Sequence, residues 1–307
     1  MNIIIYPGTE NLKSPNERMF RTPLFDYNFT FMKNTDISSL QETFKEKVNE
    51  IKSIIILLDD YGFFINHNID FILSNKTIKF YIHENDIHYL YGRRLSIAKR
   101  YKNLRDKLID NNHIFILAYY WYHYKKIYNI NHNNVICFPR FVLNKNILYV
   151  NPNPNMKILL SGALSSAYPM RRYLKNLNNP NVEILCKSQV IRGDDYISYL
   201  NTYLCAFSCC SNNNTPYIVN KFFEIPAAGC LLLAYDEYVQ NALKEIGFID
   251  MVNYISCDKH NIVKKIEYIC NEDNLEEINK IRLNGYQLVT NNHTIKNRYD
   301  LLEQIVN

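Results

Sequence analysis

A lysine and a glutamate three residues apart carry the most chemistry in this sequence: Lys221 and Glu224, in the run Asn220-Lys221-Phe222-Phe223-Glu224-Ile225-Pro226-Ala227-Ala228-Gly229-Cys230-Leu231-Leu232-Leu233. At that spacing the two side chains share one face of a helix. A carboxylate so placed can accept hydrogen bonds from both hydroxyls of a ribose, and the ammonium beside it can meet a diphosphate as a point charge. Asn220 is of a type that caps helices, which would leave the first amides open to an anion. Pro226 either kinks the helix or confines it to a short turn. The pair also has a plainer reading, a surface salt bridge on a packing helix.

A second group lies upstream, in Ile158-Leu159-Leu160-Ser161-Gly162-Ala163-Leu164-Ser165-Ser166-Ala167-Tyr168-Pro169-Met170-Arg171-Arg172. An apolar strand ends in Ser-Gly, a loop of small residues follows, and a basic helix starts at Tyr-Pro. With only 8 glycines in 307 residues, Gly162 and Gly229 mark places where a side chain would not fit. Gly162 lets backbone approach a phosphate, which Arg171 can clamp with two parallel bonds. Arg172 and Lys187 are further cations, each equally readable as a solvated charge.

In the first half, Phe80-Tyr81-Ile82-His83-Glu84-Asn85-Asp86-Ile87-His88 puts titratable groups after an apolar strand. His83, Asp86 or His88 could take the proton of an acceptor hydroxyl, since imidazole titrates near neutrality. The alternative is a polar loop with incidental histidines. Asp59-Asp60, the aromatic cluster Trp121–Tyr124 and Arg140 are weaker candidates, readable as a cap, as core and as a cation reaching a cleft. His83, Asp86 and His88 lack a third ligand at metal-binding spacing.

The Lys-x-x-Glu-Ile-x-Ala-x-Gly-x-Leu-Leu-Leu string resembles the donor-site signature of GT-B glycosyltransferases of the group-1 and CgeB-like families, and Ser161 to Arg172 is similar to their strand, loop and Tyr-Pro-x-Arg element. The resemblance covers roughly residues 156–290. It implies a ribose glutamate at Glu224, a basic partner at Lys221 and a tight helix-to-strand glycine at Gly229. It implies transfer of a sugar from a nucleoside-diphosphate sugar to an acceptor hydroxyl, the acceptor being a glycan, a protein or another hydroxyl compound. The sugar nucleotide is then a co-substrate and no cofactor or metal is expected. One departure stands out. Retaining members commonly carry another glutamate eight residues before the ribose glutamate, and Pro216 stands there; from Tyr196 to Phe223 there is no carboxylate at all. A catalytically idle sugar-nucleotide or nucleic-acid binding module on the same scaffold is therefore the rival reading.

These residues need elements to hold them at the ends of strands. In the first half, short buried-strand runs at 3–7, 53–59, 78–83, 113–118 and 135–139 alternate with helical stretches at 38–51 and 92–109, while 11–35 is irregular. The second half shows strands at 156–161, 182–187, 204–208, 230–234 and 252–256, with helices at 170–178, 194–201, 221–228, 236–246 and 260–270 and two more to the end. Such alternation predicts α/β architecture with parallel sheets. Asn151-Pro152-Asn153-Pro154-Asn155 excludes helix and reads as a hinge. The expected fold is two Rossmann-like domains facing each other across a cleft, GT-B: an acceptor domain at 1–150 and a donor domain at 151–307, whose last helical segment can pack back across the first.

Composition narrows the classes. Hydrophobic residues at 47% and charged residues at 21% are globular values, and a net charge of +5 with scattered lysines suits a binder of small anions. It neither requires nor excludes nucleic acid. No run reaches the roughly 18 apolar residues of a membrane helix. The first residues read as a strand and not as a secretory leader, so a soluble cytoplasmic protein with reduced thiols is expected.

Overall fold

In the computed structural model the described residues are 1–7, 27–58, 61–84, 103–128, 134–166, 168–185, 191, 194–210 and 216–307. They form two compact units, Met1–Pro139 with Arg298–Asn307, and Arg140–Asn297. Each is built on an all-parallel sheet, as the alternating pattern requires.

The first unit holds β1 (Asn2–Tyr6), β2 (Thr30–Lys33), β3 (Ser53–Ile56), β4 (Lys79–Glu84), β5 (Ile114–Ala118) and β6 (Val135–Cys137), in the order β2-β1-β3-β4-β5-β6. Ile3, Ile4 and Ile5 of β1 and Ile54, Ile55 and Ile56 of β3 have no exposed surface. Runs of isoleucine with no polar alternation are what a strand covered on both faces demands. The sequence reading left β2 unassigned. It is an edge strand with partly exposed side chains, and an edge strand lacks the continuous apolar run that announces a central one.

One local expectation is corrected here. The single helix read at 38–51 is a short helix, Leu40–Phe44, followed by a 3-10 turn, Val48–Glu50. Ser39 caps its start by accepting from the Glu42 amide at 3.1 Å. Between β3 and β4 the chain forms two further helices, Tyr61–His67 and Ile69–Ser74, joined at Asn68. The buried Asn68 side chain accepts from the Leu40 amide at 2.7 Å and donates to the Phe64 carbonyl at 2.8 Å, so one asparagine ties three helices.

The second unit holds β7 (Asn155–Leu160), β8 (Val182–Ile184), β9 (Tyr203–Cys209), β10 (Leu231–Tyr235) and β11 (Ile255–Cys257), in the order β11-β10-β9-β7-β8. Every residue of β9 and β10 is buried. The chain leaves β7 for β8 on one side and returns to lay β9 on the other. That reversal makes a crevice outside the carboxyl ends of β7 and β9, the place where open α/β sheets bind ligands. The long helix Leu275–Asn292 closes against the Lys221–Ala227 helix and β10. Gly285 lets the helix approach the turn before β11: a Cβ there would stand 2.4 Å from the Asn253 carbonyl oxygen.

Among the described residues no helix is long and apolar enough to cross a membrane. Cys205, Cys209, Cys210, Cys230 and Cys257 are buried free thiols.

Candidate functional site

The crevice at the β7/β9 switch gathers the residues that the sequence singled out. Ser161 and Gly162 follow β7 directly, and Lys221 opens the helix that returns from β9 to β10. Gly162 has φ +101°, a backbone state that costs a residue with a Cβ. An added Cβ would come within 2.9 Å of Arg171 Nη1 and 3.3 Å of Lys221 Cε. Three residues spread over 60 positions thus meet at one point.

Arg171 arrives from the helix Pro169–Asn176, whose proline sits at the first turn, where its missing N–H costs nothing. The helix buries Met170 and Leu174 on one face and Arg171 beside them, 4% exposed. The guanidinium lies over the Tyr168 ring at 4.0 Å and donates to the Ala163 carbonyl at 3.3 Å, while its Nε is buried with no partner. A buried guanidinium with donors to spare is built to meet an anion.

Lys221 and Glu224 do not pair with each other. The Lys221 ammonium donates to Ser161 Oγ at 2.9 Å and to the Tyr196 hydroxyl. Burial, and the repulsion of Arg171, bring its pKa down to about 8 against the pull of Glu224. Glu224 is half-buried, and no hydrogen-bond donor among the described residues reaches its carboxylate. Burial pushes its pKa up, opposed by Lys221 and Arg140. Two cations and a carboxylate, close but not neutralising one another, form a site with electrostatic work left to do.

Asn220 stands at the helix N-cap, but the expected side-chain cap is absent: its backbone is already helical and its Oδ1 accepts from Arg140 Nη1 at 2.7 Å. The asparagine is engaged in holding Arg140, a cation near Glu224. Pro226 falls near the end of a seven-residue helix, which runs straight through Ala228 and Gly229 into β10. Gly229, at φ +70°, would place a Cβ 2.9 Å from Val150 Cα. Beneath it the buried Arg282 donates from Nε to the Gly229 carbonyl at 2.5 Å and from Nη1 to the Asn151 carbonyl at 3.0 Å. The Pro-Asn segment is thereby pinned to the end of the helix that carries Glu224.

The candidates of the first unit fare differently. His83 is fully buried in β4, its ring edge-on to Tyr119 at 4.5 Å and to Phe138 at 5.7 Å. In this position it offers an acceptor no surface. Asp86, His88, Lys187 and the Asp59-Asp60 pair lie outside the described residues. Trp121 and Tyr124 are core, 3% and 1% exposed. Arg172 is exposed. Tyr196 was missed by sequence reasoning, since a tyrosine 25 positions before Lys221 has no spacing that links it to the lysine.

A cavity of about 720 Å3 lies at the ends of β10 and β11, lined by Tyr173, Glu237, Asp250, Asp258, Lys259 and Lys265 among others. Among the described residues no three His, Cys, Asp or Glu side chains are grouped to hold a metal ion.

Comparison with known proteins bears on the fold and on the second half of the chain. Residues 153–304 match the family described as glycosyl transferase-like. No curated protein sequence matches the chain significantly. Among solved structures, Anabaena Alr3699/HepE in complex with UDP and glucose is similar at 11% identity and TM-score 0.59, covering 100% of this chain and 99% of that one. A glycosyltransferase from Rickettsia africae ESF-5 is similar at 12% identity and TM-score 0.57, over 99% and 97%. S. aureus TarM, in complex with Fondaparinux, alpha-GlcNAc-glycerol and UDP, is similar at 12% and TM-score 0.53; the match covers 83% of this chain and 55% of TarM. Two all-parallel α/β units and these folds give one answer, a GT-B fold, and residues 153–304 are similar to the glycosyl transferase-like family.

Proposed function

We propose that the chain moves a sugar from a nucleoside-diphosphate sugar to an acceptor hydroxyl, with Gly162, Arg171 and Lys221 taking the diphosphate and Glu224 the ribose. One observation carries the reading: Arg171 and Lys221 converge on a positive-φ glycine at the switch point while Glu224 stays free of both. The UDP in the HepE and TarM structures supports a nucleotide of this class. In transfer, the acceptor oxygen bonds to the anomeric carbon as the bond from that carbon to the β-phosphate oxygen breaks. Negative charge grows on the leaving diphosphate, where two fixed cations supply the stabilisation that a metal gives in other transferases. The reaction is then metal-independent. The acceptor's proton passes to a base, for which Asp86 and His88 are the candidates.

The test is calorimetry with uridine, guanosine and thymidine diphosphates, followed by hydrolysis and transfer assays with the matching sugars and with chelator present. Binding of one diphosphate, lost in Glu224→Ala with the fold intact, is the expected result. No binding of any of them overturns the proposal. Pro216, at the position where the family commonly has a glutamate, favours one second reading, a nucleotide-sugar binder without turnover; binding with neither hydrolysis nor transfer would establish it.

A further inference from the structure

Lys221 and Glu224 sit three residues apart on one helix, a spacing at which ammonium and carboxylate ordinarily attract each other. Partial burial strengthens that attraction. Yet the ammonium is turned to two neutral hydroxyls, Ser161 Oγ at 2.9 Å and the Tyr196 hydroxyl, which are themselves 2.8 Å apart. Ser161 directly follows β7, and Tyr196 stands in the first turn of the helix Asp194–Asn201, so two separate segments converge on one nitrogen. Two of the ammonium's three N–H groups are used, which leaves one.

We infer that Tyr196 is a positioning residue: its hydroxyl, backed by Ser161, holds the Lys221 ammonium off Glu224, so that cation and carboxylate remain available to different parts of one ligand. The inference rests on the donor-site reading above and adds to it the reason the site does not neutralise itself. A carboxylate partner would have cancelled the charge that the diphosphate needs. Hydroxyls fix the position and leave the charge in place. Burial raises the Tyr196 phenol above its ordinary pKa, so it stays protonated and neutral wherever Lys221 titrates. The ring adds to the grip, since the ammonium lies 4.1 Å from its centroid. Tyr196→Phe keeps that ring and removes only the hydroxyl.

A double-mutant cycle on the full chain tests this, read by calorimetry with the tightest-binding of the three nucleoside diphosphates. Lys221→Met should weaken binding by at least tenfold. Tyr196→Phe should weaken it about tenfold in the native background and not at all in Lys221→Met. In Tyr196→Phe the alkaline fall of affinity should also move upward from its native position near pH 8, because a lysine drawn onto Glu224 holds its proton more tightly. A merely structural tyrosine would give equal losses in both backgrounds and an unmoved alkaline limb; either result overturns the inference. If Lys221→Met leaves affinity unchanged, the donor-site reading falls and the inference with it. Ser161→Ala serves if Tyr196→Phe does not fold, with the same non-additivity expected and additivity again fatal.

Discussion

Both units place charged side chains at the carboxyl end of a parallel strand, and they treat them in opposite ways. At the end of β4, Glu84 and Arg105 are both fully buried and bonded to each other at 2.5 Å, next to the enclosed ring of His83. At the ends of β7 and β9, Arg171, Lys221 and Glu224 are brought close and kept from pairing. A closed pair has its partner within the fold and serves the fold. An open set, whose lysine is held by the neutral hydroxyls of Ser161 and Tyr196, keeps its charges unpaired within the fold. The difference teaches that buried charge alone does not identify a site; what matters is whether the fold has already answered it.

Breaking the closed pair should cost the most. Glu84→Ala leaves Arg105 buried with its main partner gone, and urea unfolding should show a loss of about 3–5 kcal/mol. On the open side, Glu224→Ala should leave the melting temperature nearly unchanged and weaken nucleotide affinity by roughly a hundredfold, about 2.7 kcal/mol. A large stability loss there would erase the contrast. Gly162→Ala sets a Cβ at φ +101° against the movable end of Arg171. It should cost about 1–2 kcal/mol of stability together with a several-fold loss of affinity, since strain and site coincide. The mildest probe is pH. The Lys221 ammonium, with its pKa near 8, is charged below that pH and lost above it, so affinity should fall up to about tenfold between pH 7 and pH 9. On the acid side, affinity should begin to fall above the ordinary carboxylate range, because burial raises Glu224.

Much of this was legible in the sequence where local pattern decides the outcome. Isoleucine runs announced β1 and β3, and Gly162 and Gly229 marked two of the three positive-φ glycines among the described residues. Gly162, Arg171, Lys221 and Glu224 were legible as a group because each lies at an element boundary, where residue type has a local meaning. The edge strand β2 and the helices at Tyr61–His67 and Ile69–Ser74 were not, since their stability comes from packing and not from periodicity. The capping role read for Asn220 failed because a long-range partner, Arg140, took its oxygen. Tyr196 was invisible for the same reason: its meaning depends on where two other segments end.

The division of the chain into units bears on the order in which it can be made. Arg140–Asn297 is contiguous, whereas the first unit needs Arg298–Asn307, whose Arg298 donates to the Pro139 carbonyl at 2.7 Å and whose Ile305 carbonyl accepts from the Tyr81 hydroxyl at 2.7 Å. During translation the second unit is complete in the nascent chain while the earlier-synthesised unit still waits for residues Arg298–Asn307. The unit made first is therefore the one that finishes folding last.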